Sequence, residues 1–232
     1  MNTNPTVRTF APEQWGEVDR FSRLYGKTFP NFERVERRAV SGVGNHLEKA
    51  FILRNLAMRL RPNLEVDAMQ LEKKGFSPDN NSRELSAVIE SVFTEMYSAL
   101  DCTRKVIVAI HPDARGIPTN STRKLFRKVQ KNELDGVLHT ALVEAFKRAT
   151  WYEDLLKVRD ELTHSDVGRC HLDGKKGKVS YMHTGLGNQT KAFVIDDIFE
   201  RLGKNLNDVN LFLGKVFRYL NSLQREPQPL HP

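Results

Sequence analysis

Only two cysteines, Cys102 and Cys170, occur among 232 residues, too few for a disulfide framework. A reducing compartment, and so a cytoplasmic location, is the expectation. No apolar run reaches the roughly 20 residues that a membrane-spanning helix needs, so no membrane partner is expected. The first ten residues, MNTNPTVRTF, lack the basic, apolar and small-residue succession of a secretory signal. A Walker-type phosphate loop is also missing: TGLGNQTK, at 184–191, has glycines but no Gly-Lys-Ser/Thr ending. There is no serine or cysteine nucleophile arrangement, no internal repeat, and no linker that divides the chain. The reading is therefore one helical domain over 1–225, with N-terminal helices at 12–62, a bundle core at 80–222 and a β insertion at 168–195. Residues 226–232, EPQPLHP, are expected to be a disordered tail.

What is present is soluble globular composition, 39% hydrophobic and 28% charged, with enough apolar side chains for a sizeable core. The net charge of +7 permits an anionic partner such as RNA without requiring one.

Helical periodicity dominates. Trp15, Val18, Phe21 and Tyr25 predict a short helix that Gly26 to Pro30 breaks. Asn31 is placed to cap the next, which uses Phe32, Val35, Ala39 and Val40 and resumes through Leu47, Phe51 and Leu56 until Pro62. Gly42 and Gly44 inside it mark a close helix contact or a break. A further short helix fits 65–74, and 76–82 reads as a loop. The strongest pattern runs from Leu85 through Ile89, Val92, Phe93, Met96, Tyr97 and Leu100 to Ile110, one wide apolar stripe read as core, which His111-Pro112 stops.

A short basic helix, STRKLFRKVQKN, follows at 121–132. Arg123, Lys124, Arg127, Lys128 and Lys131 form two adjoining faces with Phe126 between them, suited to RNA phosphates; a solvated surface helix is the plainer reading. The next helix is expected to start near Asp135, to use Leu138, Leu142, Phe146, Ala149, Tyr152 and Leu156, and to run on to His164. Beyond it, GRCHL and KVSYMH around the turn DGKKG predict two strands, and AFVI a third. The last helix begins near Asp196 or Asp197, whose carboxylates suit its N-terminus.

On the helix ending at His164, Arg159 projects about 60° to one side of the apolar stripe and His164 about 80° to the other. Both border the buried face. A half-buried guanidinium needs an anionic partner, because desolvating it alone is costly. An imidazole titrates near neutrality and suits proton transfer. The two are about 140° apart on an ideal helix and converge only if the helix unwinds before His164, or with their twins across a two-fold axis. A zinc site from His164, Cys170, His171 and His183 is the alternative chemistry, though the spacing matches no familiar pattern.

With Arg159-Asp160 followed by His164, the chain resembles the HEPN superfamily. Its members are mainly helical bundles whose signature is arginine, a polar residue, then histidine after four to six positions in all. The likeness covers the bundle at 80–222. It implies a mainly α, HEPN-like bundle with a small β-hairpin insertion before the last helix. It also implies a homodimer with motifs facing across the interface, and metal-independent endoribonuclease activity with no cofactor. In that chemistry Arg159 holds the phosphate, His164 moves protons, Asp160 orients the histidine or the partner's arginine, and the product is a 2′,3′-cyclic phosphate. Roles as a toxin or antiviral defence effector, with an antitoxin or regulatory partner, are implied too. The alternative it leaves open is a non-catalytic protein- or nucleotide-binding module. Two departures stand out: aspartate follows the arginine where asparagine is commoner, and the β insertion interrupts the bundle.

Overall fold

The computed structural model describes residues 12–164, 168–174, 177–183 and 193–224. The N-terminal ten residues and the 226–232 tail, with the expectations made for them, lie outside these. The elements in order are α1 (Pro12–Thr28), α2 (Arg34–Leu60), a 3-10 turn (Arg61–Asn63), α3 (Leu64–Lys74), α4 (Asn80–Ile110), α5 (Thr122–Gln130), α6 (Thr140–Lys147), α7 (Tyr152–His164), β1 (Arg169–Asp173), β2 (Lys178–His183), β3 (Phe193–Ile195) and α8 (Ile198–Ser222). The protein is mainly helical with a small three-stranded antiparallel sheet. Among the described residues, no helix is long and apolar enough to cross a membrane.

The described residues pack as two compact units: those within 12–48, 98–150 and 208–224 form the first, and those within 49–97 and 151–207 the second. In the first unit, Phe126, Phe146 and Phe212 pack ring on ring with centroids 4.7–5.5 Å apart. Edge-to-face and tilted geometries of this kind suit the aromatic quadrupole. Phe21 packs edge-on against Phe217 at 5.3 Å. Gly42 lies within a continuous α2, and a Cβ there would stand 2.7 Å from Cys102 Sγ, so the glycine marks a close approach and not a break.

A second feature of this unit is a buried guanidinium. Arg104, on α4, donates through Nη2 to Asp101 Oδ1 at 3.0 Å and through Nε to Thr122 Oγ1 at 3.2 Å. Nη1 donates to the Thr119 carbonyl, and Thr122 Oγ1 donates to Asp101 Oδ1 at 2.8 Å. Thr122 opens α5, and Ser121 caps it by accepting the Lys124 N–H at 3.2 Å.

Also in this unit, Tyr219 lies between His139, with ring centroids 4.6 Å apart, and His111, at 6.3 Å. Burial, then the nearby His139, holds the His111 pKa below its ordinary 6.5. The unfolded chain therefore binds this proton more readily than the folded one. The contribution of neutral His111 to stability is full above pH 6.5 and is lost as pH falls from there toward the folded value. Urea midpoints are expected to drop between pH 7.5 and pH 5.5, and to drop less in His111→Asn. An equal pH slope in both proteins contradicts this account.

In the second unit, β1 pairs with β2 from Arg169↔Met182 to Asp173↔Lys178, and β2 with β3 from Tyr181↔Ile195 to His183↔Phe193. Cys170, Val179, Tyr181 and Ile195 are buried. A polar stripe on α4 holds the sheet: Ser82, Ser86 and Glu90, spaced by four, face one way along the helix. Ser82 Oγ accepts the Cys170 N–H at 3.0 Å, and the Ser86 hydroxyl donates to Cys170 Sγ at 3.4 Å. Glu90 Oε1 accepts the Gly168 N–H at 2.8 Å and the Tyr181 hydroxyl at 2.7 Å. A Cβ at Gly168 would fall 2.3 Å from the Tyr181 ring. Gly168→Ala is therefore expected to cost about 1–3 kcal/mol in urea unfolding, the usual range for overpacking. A change under about 0.5 kcal/mol contradicts the contact.

Four local expectations need correction. The helix expected from near Asp135 to His164 starts later, at Thr140, and is two helices. α6 closes at Arg148, whose N–H reaches Glu144 and Phe146 carbonyls, the Ala149 N–H turns back to Phe146 at 3.1 Å, and α7 begins afresh from Trp151. Tightened i→i+3 bonds end a helix in this way. Phe146, Ala149 and Tyr152 stay buried through the break, which is why the apolar pattern reads as unbroken. Asn31 does not cap α2: the first helical bond runs from the Arg37 N–H to the Glu33 carbonyl. α1 continues through Gly26 to Thr28. The loop expected over 76–82 ends at Asp79, because the buried Asp67 carboxylate accepts the Ser82 N–H at 2.9 Å and lets α4 start at Asn80.

Candidate functional site

Arg159, Asp160 and His164 all lie on α7, in the second unit. α7 is 13 residues long, opens with Glu153 and Asp154 at its positive end, and buries Tyr152, Leu155, Leu156 and Val158. Those apolar positions fix which face turns inward, and Arg159 follows at its edge. Its side chain is 31% exposed, so it borders the buried face as expected. The guanidinium carbon stands 4.5 Å from the centroid of the Tyr97 ring. Nη1 donates to Asp160 Oδ1 at 3.0 Å. A stacked, ion-paired guanidinium has little rotational freedom left, which favours it as a fixed anchor for an anion. The same pairing sets a carboxylate against the guanidinium, which any anionic ligand would have to compete with.

His164 is the last residue of α7. Its side chain lies outside the described residues, as do 165–167. Ideal helix geometry separates positions 159 and 164 by about 7.5 Å along the axis and about 140° around it.

Tyr97, under the guanidinium, neighbours the Tyr152 phenol. The Tyr152 phenol is wholly buried. Burial, then Tyr97, Glu153 and Asp160, drives its pKa far above the ordinary range, so it stays protonated. Tyr97 sits in the apolar stripe of α4 and reads from sequence as core; it is only half-buried, and its ring face meets Arg159. A tyrosine at the polar margin of an apolar stripe is the one sequence signal that marks it.

The basic residues of α5 lie in the first unit. Arg123, Lys124, Arg127 and Lys131 are exposed, while Lys128 is half-buried and donates to the Gly116 carbonyl at 3.0 Å. Phe126 is not between them. It is 1% exposed and packs on Phe146 and Phe212, so no aromatic ring is offered to a base there. Leu125, Phe126 and Val129 anchor the helix and turn the cations outward.

Of the proposed zinc ligands, Cys170 is buried and His171 exposed, as neighbours on a strand point to opposite faces. Burial raises the Cys170 thiol to about 11 against a partial lowering by Ser86. Among the described residues, no three His, Cys, Asp or Glu side chains are grouped to hold a metal.

No family model, curated protein or solved structure matches the chain.

Proposed function

We propose that this protein is a metal-independent endoribonuclease of HEPN type, acting as a homodimer. The observation that supports it most is Arg159, fixed by Tyr97 and Asp160 at the margin of α7, five residues before the histidine that ends the helix. RNA brings its own nucleophile, the 2′-hydroxyl. In this reading His164 takes the 2′-hydroxyl proton or returns one to the departing 5′-oxygen. Arg159 grips the non-bridging phosphate oxygens, and its charge stabilises the one that builds up on them. The bond to the 5′-oxygen breaks as the 2′-oxygen bonds to phosphorus, leaving a 2′,3′-cyclic phosphate and a 5′-hydroxyl. Arg123, Lys124, Arg127, Lys128 and Lys131 contribute phosphate affinity, and a toxin or antiviral role with a restraining partner completes the reading.

The test is incubation of the purified protein with labelled RNA in EDTA. Cleavage with cyclic-phosphate ends is the expected result; intact RNA across a broad set of substrates rejects the nuclease. One observation favours a second reading: Asp160 already neutralises Arg159 at 3.0 Å. On that basis the pair serves a non-catalytic HEPN-like module that binds a protein or a nucleotide, and the same incubation then yields binding without cleavage.

A further inference from the structure

The first turns of α2 break two rules of helix electrostatics. Arg34, Arg37 and Arg38 share one face at i, i+3 and i+4, where like charges repel. They also crowd the N-terminal end, where the helix dipole disfavours cations. Glu36 is the acidic residue of that first turn. Among the described residues none of the three arginines forms an ion pair, so their charges are not paired off by a contacting carboxylate.

The three line a cleft of about 620 Å³ together with Ser22 and Tyr25 of α1 and Phe32 of the connection; Glu33 is the one carboxylate among the lining residues. That volume lies within the usual range for small-molecule sites. Its aromatic side is rigid: Tyr25 and Phe32 have ring centroids 5.6 Å apart, and Phe32 stacks on Phe29 at 5.3 Å. Arg37 is held in place, its Nε donating to the Phe32 carbonyl at 2.7 Å, which leaves the two terminal nitrogens of the fork for a ligand. The first helical bond of α2 is from the Arg37 N–H to Glu33, so the N–H groups of residues 34–36 precede it and are available to an anion.

We propose that this cleft binds a small phosphorylated molecule. Its phosphoryl group would meet the three guanidinium groups and the α2 N-terminus, and its carrier would lie against Tyr25. The proposal concerns α1 and α2 alone and does not rest on the ribonuclease reading.

Isothermal titration calorimetry of the full chain tests it with three probes: inorganic pyrophosphate, AMP and adenosine. Pyrophosphate and AMP are expected to bind, with AMP stronger than adenosine by about tenfold or more, as charge-assisted contacts are lost. Binding of pyrophosphate without AMP would assign the site to a free inorganic anion, and AMP without pyrophosphate to a phosphomonoester on a carrier; both support the site. Arg34 and Arg38 have exposed side chains, so R34A/R38A is expected to fold normally and to weaken binding by about tenfold or more. R37K, which keeps the charge but loses the fork, is expected to weaken it too. Neutralising Lys73 and Lys74, exposed lysines in the last turn of α3, should leave the affinity unchanged. Absence of heat with both phosphate probes, equal affinity in R34A/R38A, or equal binding of adenosine and AMP would each overturn the proposal. So would an oligoribonucleotide that binds through these arginines when neither small probe does.

Discussion

His164→Ala is expected to lower kcat/KM for RNA cleavage by about 10²–10⁴-fold, the usual contribution of a positioned acid–base group. Arg159→Ala is expected to lower it by about 10²–10³-fold, the scale seen when one donor to a developing oxyanion is removed. Neither change should unfold the protein. Arg159 is about a third exposed and lies at the edge of the α7 core, and position 164 closes the helix. Arg159→Lys should recover little, because an ammonium neither stacks on Tyr97 nor offers two parallel donors. Asp160→Asn separates the two readings. If the arginine works on phosphate, removing the 3.0 Å carboxylate should tighten RNA binding. If the pair is structural, the variant should lose stability and gain no affinity. Circular dichroism, single-turnover rates and binding titrations check all four variants.

The second large effect concerns stability. Asp101→Ala is expected to cost about 3 kcal/mol, because it strands a guanidinium inside the protein. The Arg104 side chain is only 4% exposed, and Asp101 is its only carboxylate partner among the ion pairs of the described residues. Asp135→Ala offers the contrast. It breaks a pair with Lys147 in which both side chains are more than a third exposed, and should change stability by no more than about 1 kcal/mol. Burial alone would raise the Asp101 pKa, but hydrogen bonds from Thr122 and Arg104 outweigh it and hold the carboxyl below its ordinary 3.8. Its stabilising contribution is therefore present above pH 3.8 and is lost as pH falls below that through the folded value. Urea unfolding of both variants at pH 7, and of the parent across the acid range, measures this. Equal losses in Asp101→Ala and Asp135→Ala would contradict it.

Long-range order was legible where one periodicity spoke without interruption. The stripe from Leu85 to Ile110 became α4, the alternation in KVSYMH became β2, and the carboxylate of Asp197 does cap α8, accepting the Phe199 and Glu200 N–H groups at 3.1 Å. Apolar spacing failed at 148–151, because a tight turn that keeps Ala149 and Tyr152 buried leaves the pattern intact. It also could not reveal polar partners distant in sequence. Glu90 meets Gly168 and Tyr181 from about eighty and ninety residues away, and Asp67 caps α4 from the preceding helix. Within the candidate site, the half-buried place of Arg159 and its need for an anionic partner were readable, whereas its pairing with Asp160 and the ring beneath the guanidinium were not, since Tyr97 belongs by spacing to the core of another helix.

The most direct measurement compares an oligoribonucleotide with the same strand carrying a single 2′-deoxy sugar at the scissile position, in EDTA. With the wild-type protein, the account predicts cleavage of the first, loss of that cut in the second, and no cut of either by His164→Ala. Cleavage at the deoxy position, or undiminished cleavage by His164→Ala, would contradict it.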